Sequence, residues 1–176
     1  DMSRQFRRQT GLRRLVDFFT EYGLRPFPAA RVYRAYGDQA QDEIIRDPYI
    51  LTEETFGLDF FEVDALALRL GVEGNSQSRI SAAVLFEMRH NFGNGHVFLP
   101  RDKLTAASSQ LINVSGEAVS ECIEQLMEGG YICEEPVAGV DACYISEMYR
   151  AETQVAERLR DMASRIVKSG YNIQKL

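Results

Sequence analysis

A chain of 176 residues, 45% hydrophobic and 26% charged, can bury one sizeable core or two small ones and is too apolar to remain disordered. No apolar run approaches the roughly 18 residues of a membrane span, and the start, DMSRQFRRQTGLRR, lacks the apolar block of a signal peptide. The expectation is a cytoplasmic chain with no membrane contact. The net charge of −6 excludes a general basic coat, yet residues 1–40 hold eight arginines against four acids, a local +4 that leaves −10 for the remainder.

From Gly11 to Tyr22 the apolar positions Leu12, Leu15, Val16, Phe18, Phe19 and Tyr22 keep helical spacing. The stretch YGLRPFPAARVYRAYG then breaks that period and restarts it, which predicts a helix, a turn on Gly23, and a second helix ended by Gly37. A third helix, DQAQDEIIRD, runs into DPYIL, where Asp47 can cap and Pro48 can occupy a first helical position. A second glycine turn follows, FGLD, and FFEVDALALRLG makes a helix closing at Gly71. Residues 1–72 therefore read as two helix-hairpin-helix units in tandem.

In the second half, SRISAAVLFEMRHNF has the look of a buried helix, and GNGHVFLP leads to an extended run stopped by Pro100. Two more helices, RDKLTAASSQLI and SGEAVSECIEQLMEGG, precede two alternating segments, YICEE and ACYISE, joined by the turn PVAGVD. Three helices and a small β-hairpin predict a winged-helix-like domain over 78–148. The last segment, 149–176, has the spacing of an amphipathic helix that leaves it. The fold class expected is mainly α.

Catalytic signatures are missing. No GxxxxGK[ST] stretch is present to cradle nucleotide phosphates, so the chain by itself is not a motor. His90 and His96 stand across glycines at a spacing unsuited to a helical zinc pair, and no metal site is expected. His96 is expected at the junction of the two halves, its imidazole bonded to protein groups, with Val97, Phe98 and Leu99 alternating into the core. Cys122, Cys133 and Cys143 have no CxxC spacing and read as reduced structural thiols.

The glycine turns carry more information. A Gly-hydrophobic-Gly turn between two helices offers consecutive backbone N–H groups to a phosphate, helped by the N-terminus of the second helix. Here the turns are Gly23-Leu24-Arg25 and Gly57-Leu58-Asp59, each without its second glycine. Ala29 and Val63, six residues past the first glycines, are small enough to let helices cross closely. In the first turn Arg25 adds a positive charge; in the second Asp59 would confront a phosphate with a like charge. Candidate DNA contacts are thus Arg7, Arg8, Arg13, Arg14, Gly23, Arg25 and Arg31, while Gly57, Leu58, Asp59 and Asp64 read as structural. Phe60, Phe61 and Leu66 are expected in or near a core between the hairpins, and Asp59 is expected exposed or capping. Arginines snorkelling over apolar neighbours on a solvated helix face would give the same pattern. In the second half, SGEAVSECIEQLMEGG carries Glu117, Glu121, Glu124 and Glu128 and no basic residue, which suits packing or protein docking better than a DNA groove.

The segments RVYRAYG, RDPYIL, FGLDFFEVDALALRLG, SRISAAVLFEM, NGHVFLPRDKL and YISEMYRAE resemble, in that order, the A-x-[KR]-I-Y-x-x-Y-G, N-P-Y-x-L, G-I-G-F-x-x-A-D-x-I-A, R-I-x-A-A, G-H-x-x-L-P and Y-x-x-E segments of a known family. That family is the long-N-terminus branch of RecD-like ATP-dependent DNA helicases, similar to the exodeoxyribonuclease V alpha subunit. Asp47, Asp59 and Val63 depart from its usual Asn, Gly and Ala. The resemblance implies a non-motor accessory region that scaffolds and weakly guides single-stranded or forked DNA without sequence preference. It also implies motor domains beyond Leu176 that use ATP and Mg, this region itself holding no cofactor. The alternative is a free-standing winged-helix interaction or regulatory module.

Overall fold

Leu15, Phe18 and Phe19 line one side of α1 (Met2–Glu21), and against them pack α2 (Ala29–Tyr36) and α3 (Ala40–Arg46), separated by a 3-10 turn at Gly37–Gln39. The computed structural model describes residues 2–147. The first helix begins nine residues before the periodic stretch that predicts it, because the polar segment 2–10 continues the helix without burying anything. Gly11 lies within it, where a Cβ would collide with Asp38 Oδ1 and Tyr33 Oη. Those two atoms are joined by a 2.6 Å hydrogen bond from the phenol, so the missing side chain lets α2 and its following turn close on α1.

Asp47 accepts from Tyr49 N–H at 3.1 Å and starts a 3-10 stretch, Pro48–Thr52, that a second short one, Glu54–Phe56, extends to Gly57. The fourth helix, α4 (Phe60–Arg69), then begins. Ser76 caps α5 (Gln77–Gly93), whose buried residues Ile80, Ala83, Val84 and Met88 lie under α6 (Arg101–Ile112) and α7 (Gly116–Glu128). Between α5 and α6 the chain adds a short strand, β1 (Leu99–Pro100), absent from the hairpin expected of the sequence. It pairs antiparallel with β3 (Val140–Ile145), which pairs in turn with β2 (Ile132–Val137), giving a three-stranded sheet of order β1-β3-β2.

One continuous cluster of buried side chains runs from Leu15 to Ile145 across both halves. Phe19, Ile44, Leu51, Leu66, Leu104 and Ile123 are among the largest fully buried members, each contributing about 1.5–3 kcal/mol by leaving water. The halves are also pinned by a polar contact: Arg79 on α5 donates from Nε and Nη2 to the two oxygens of Asp64 on α4, both at 2.9 Å, and from Nη1 to Gly74 O and Ile112 O. Tyr49 Oη donates to the same carboxylate at 2.6 Å.

Three expectations need correcting. Phe61 is 57% exposed, since the helical period that buries Phe60, Val63, Leu66 and Ala67 turns it outward; its ring stays beside Phe60 and Phe86. Val97 is exposed and only Leu99 of the VFL run enters the core, because the strand is two residues long and the preceding chain is still turning. The ring of His96 is exposed and makes no hydrogen bond to the described residues; the turn is closed by its backbone N–H donating to Asn91 O at 3.1 Å.

Candidate nucleic-acid interface

Both glycine turns use the same local device. Gly23 and Gly57 adopt φ of +77° and +69°, a left-handed conformation that costs glycine nothing. In each case the following residue, Leu24 or Leu58, turns inward and is buried, and Ala29 and Val63 are fully buried where the paired segments meet. What differs is the fate of the backbone donors next to the turn. In the second turn Asp59 is the N-cap of α4: its carboxylate accepts from Glu62 N–H at 2.9 Å, and Glu62 reaches back to accept from Asp59 N–H at 3.1 Å. This reciprocal capping box supplies, from within the chain, the anion that a phosphate would otherwise supply.

Among the described residues, the first turn has no such internal ligand. Pro28, at the N-cap of α2, offers no side-chain cap. Gly23 and Leu24 N–H groups donate back to Thr20 and Phe19 carbonyls, but among the described residues no acceptor meets the N–H of Arg25, Phe27 or Ala30.

The two turns lie side by side, joined by arginines of the first. Arg25 donates from Nε and Nη2 to the two oxygens of Glu62, at 2.9 and 3.0 Å, and from Nη2 to Gly57 O at 2.8 Å. Hydrogen bonds from Arg25 hold the Glu62 carboxyl below the usual carboxylate range, against the upward push of partial burial. Arg31 Nη1 donates to Thr55 O at 3.3 Å and its guanidinium covers the Phe27 ring at 5.4 Å from the centroid. Arg69, at the end of α4, completes the contact by donating to Glu21 O at 3.4 Å and stacking 4.9 Å over Tyr22.

Of the residues singled out by the sequence, the fold therefore brings Gly23, Arg25, Arg31, Gly57, Leu58 and Asp59 together. Arg7, Arg8, Arg13 and Arg14 remain exposed along α1, with Arg7 and Arg14 on one face and Arg8 close enough to Tyr33 to act on its phenol. Asp64 is drawn away from the turn into the Arg79–Tyr49 contact; although burial pushes its pKa up, hydrogen bonds from Arg79 and Tyr49 leave it below the ordinary value. Glu62 and Phe27 were missed. Glu62 could have been found, since Asp59-x-x-Glu62 at the start of an apolar helix is a capping-box pattern. Among the described residues, no group of three or more His, Cys, Asp or Glu could hold a metal ion, and no helix is long and apolar enough to cross a membrane.

Turns of this kind, a left-handed glycine followed by a buried leucine and a new helix, have the form of a helix-hairpin-helix element. The family described as ATP-dependent RecD2 DNA helicase HHH domain matches residues 8–98, and the chain belongs to it. It is similar to the ATP-dependent RecD2 DNA helicase of Deinococcus radiodurans, 27% identical over 165 residues that cover 88% of this chain. The match spans 23% of that relative's length.

Proposed function

We propose that this chain is the non-motor accessory region of a RecD-like ATP-dependent DNA helicase, in which residues 1–72 guide DNA weakly and without sequence preference while the remainder scaffolds the motor. The contrast between the two turns carries this reading. The second turn is closed by its own Asp59 and Glu62, whereas the first keeps open N–H donors beside the net-positive part of the chain. Phosphates would be met by the Gly23 turn, Arg31, and Arg7, Arg8, Arg13 and Arg14 on α1. Arg25 acts chiefly as the strut that keeps the second turn against the first. Such contacts position a strand without reading bases.

Residues 78–148 would form a winged-helix-like domain. The order α5, β1, α6, α7, β2, β3, with β1 on the edge of the hairpin, supports this. Its third helix, α7, exposes Glu117, Glu121, Glu124 and Glu128, and Glu124 takes a 3.0 Å ion pair from Arg101, which also reaches Glu134 on β2. That surface suits a protein neighbour, the chain's own motor domains, better than DNA. The segment 149–176, outside the described residues, would lead to a motor that binds ATP and Mg, and the protein would work in the cytoplasm.

Fluorescence anisotropy on single-stranded and forked DNA over a salt series tests the DNA reading. The expected Kd lies at or above the roughly 10⁻⁴ to 10⁻⁶ M of non-specific contacts and weakens steeply with salt. Reversing Arg13 and Arg14 to Glu should weaken binding several-fold and lower the salt slope by about one for each phosphate that is no longer neutralised. Binding untouched by that reversal, or no salt dependence, would rule the interface out.

A further inference from the structure

Phe27 is 75% exposed, the most exposed aromatic of the two hairpin turns. A solitary exposed aromatic is ordinary on a protein surface, but this one is held in place from several sides. It stands between Pro26 and Pro28, whose rings restrict the backbone, and Pro28 is fully buried. The Arg31 guanidinium lies over its ring, and the same guanidinium is tethered to Thr55 O of the second turn. One face of the ring is thereby covered by a fixed cation and the other is left to solvent.

The surroundings have the chemistry of a polyanion's track rather than of an apolar partner. Arg31 and Arg34 are one turn apart on α2 and both exposed, and Phe27, in the turn just before α2, lies under Arg31, so an aromatic ring and two cations follow one another out of the turn. The open N–H groups of Arg25 and Phe27 are in the same turn, and that of Ala30 is in the first turn of α2. A ring with one free face, next to cations spaced along a helix, suits a nucleobase stacked on the ring with its flanking phosphates on the arginines.

Resting on the DNA reading above, we infer that Phe27 is a base-stacking platform for single-stranded DNA, making the first hairpin turn selective for unpaired over paired strands. In a duplex the bases are stacked on one another and offer no face to the ring, so only phosphate contacts would remain.

The test compares the chain with Phe27→Ala, Phe27→Trp and Phe27→Leu variants, using anisotropy on an oligothymidylate, on an oligonucleotide of the same length containing a run of abasic sites, and on a duplex. Thermal melting checks that each variant is folded. Phe27→Ala should weaken oligothymidylate binding about tenfold, the effect of losing one stacked base, with an unchanged salt slope because no charge is removed. Phe27→Trp should bind at least as well as the parent, and Phe27→Leu should behave like the alanine variant. All four proteins should bind the abasic strand and the duplex alike. A 2-aminopurine placed in the strand should be quenched by the parent and by Phe27→Trp only.

If Phe27→Ala leaves oligothymidylate binding unchanged while the Arg13 and Arg14 reversals weaken it, the platform is wrong and the guiding role stands. Equal loss on abasic and normal strands means that Phe27 acts through the shape of the turn, and also overturns the platform. Absence of DNA binding in the parent chain removes both readings.

Discussion

Arg79 grips Asp64 through two parallel 2.9 Å hydrogen bonds, with the two side chains only 11% and 13% exposed. The pair joins α5 to α4 and so locks the hairpin half to the sheet-bearing half, while the remaining Arg79 donors satisfy Gly74 O and Ile112 O. Removing one member leaves the other charge buried and uncompensated. Arg79→Ala and Asp64→Ala should each cost about 3–5 kcal/mol, measured by urea unfolding, and the double variant should cost clearly less than the two losses added. Additive losses would mean that the pair does not act as a unit.

The same carboxylate sets an acid limit. Asp64 and Glu62 both have pKa values lowered in the folded chain, so each contributes stability that is present above the unfolded value, about 3.9 to 4.3, and lost as pH falls through the folded one. The melting temperature should therefore be nearly flat from pH 7 to about pH 5 and fall below about pH 4. In Asp64→Asn, already less stable, the fall should be shallower. A variant with an undiminished acid slope would show that other groups set the limit.

At the second turn, restoring glycine alone should not open a phosphate site. Asp59→Gly removes one half of the capping box, but the Glu62 carboxylate, anchored by Arg25, still accepts from the residue 59 N–H. Glycine is a tolerated N-cap, so stability should change by only a few tenths of a kcal/mol. DNA affinity in anisotropy should change less than twofold. A large gain in affinity would show that the Asp59 charge, rather than occupancy by Glu62, keeps phosphate away.

In the β2–β3 hairpin a two-residue turn carries positive φ at both Ala138 (+50°) and Gly139 (+81°). That is the geometry for which Asn-Gly is preferred, and alanine is strained in it by roughly 1 kcal/mol. Ala138→Asn should stabilise the chain by up to about that amount in chemical denaturation; a loss of stability would mean that the turn relaxes differently in solution.

Two of the three thiols, Cys122 and Cys143, should be quiet in the native chain. Burial pushes the Cys143 thiol up to about 12 and raises Cys122 as well. With a thiol reagent at pH 8, neither should react at a rate above that of global unfolding, and both should react at once in denaturant. Fast labelling of Cys143 in folded protein would place it outside the core.

The helices, glycine turns and mainly α class could be read from local pattern, because each depends on residues close in the chain: a 3.6-residue apolar period, a glycine free to take positive φ, and a Ser or Asp placed to cap. The suspicion that the second turn differs from the first was also local, resting on Asp59 where a glycine would stand. Tertiary structure decided what those residues do. Arg25 meets Glu62 and Gly57 across more than thirty residues of chain, so a side chain singled out for its charge also ties the two turns together. Asp64 likewise gains its role from Arg79, fifteen residues on and in another helix. The direction of Phe61, the exposure of Val97 and the addition of β1 to the sheet were settled by which neighbours arrive on each face. Local periodicity gives an element its faces, whereas burial and ion pairing depend on distances between elements that no local pattern contains.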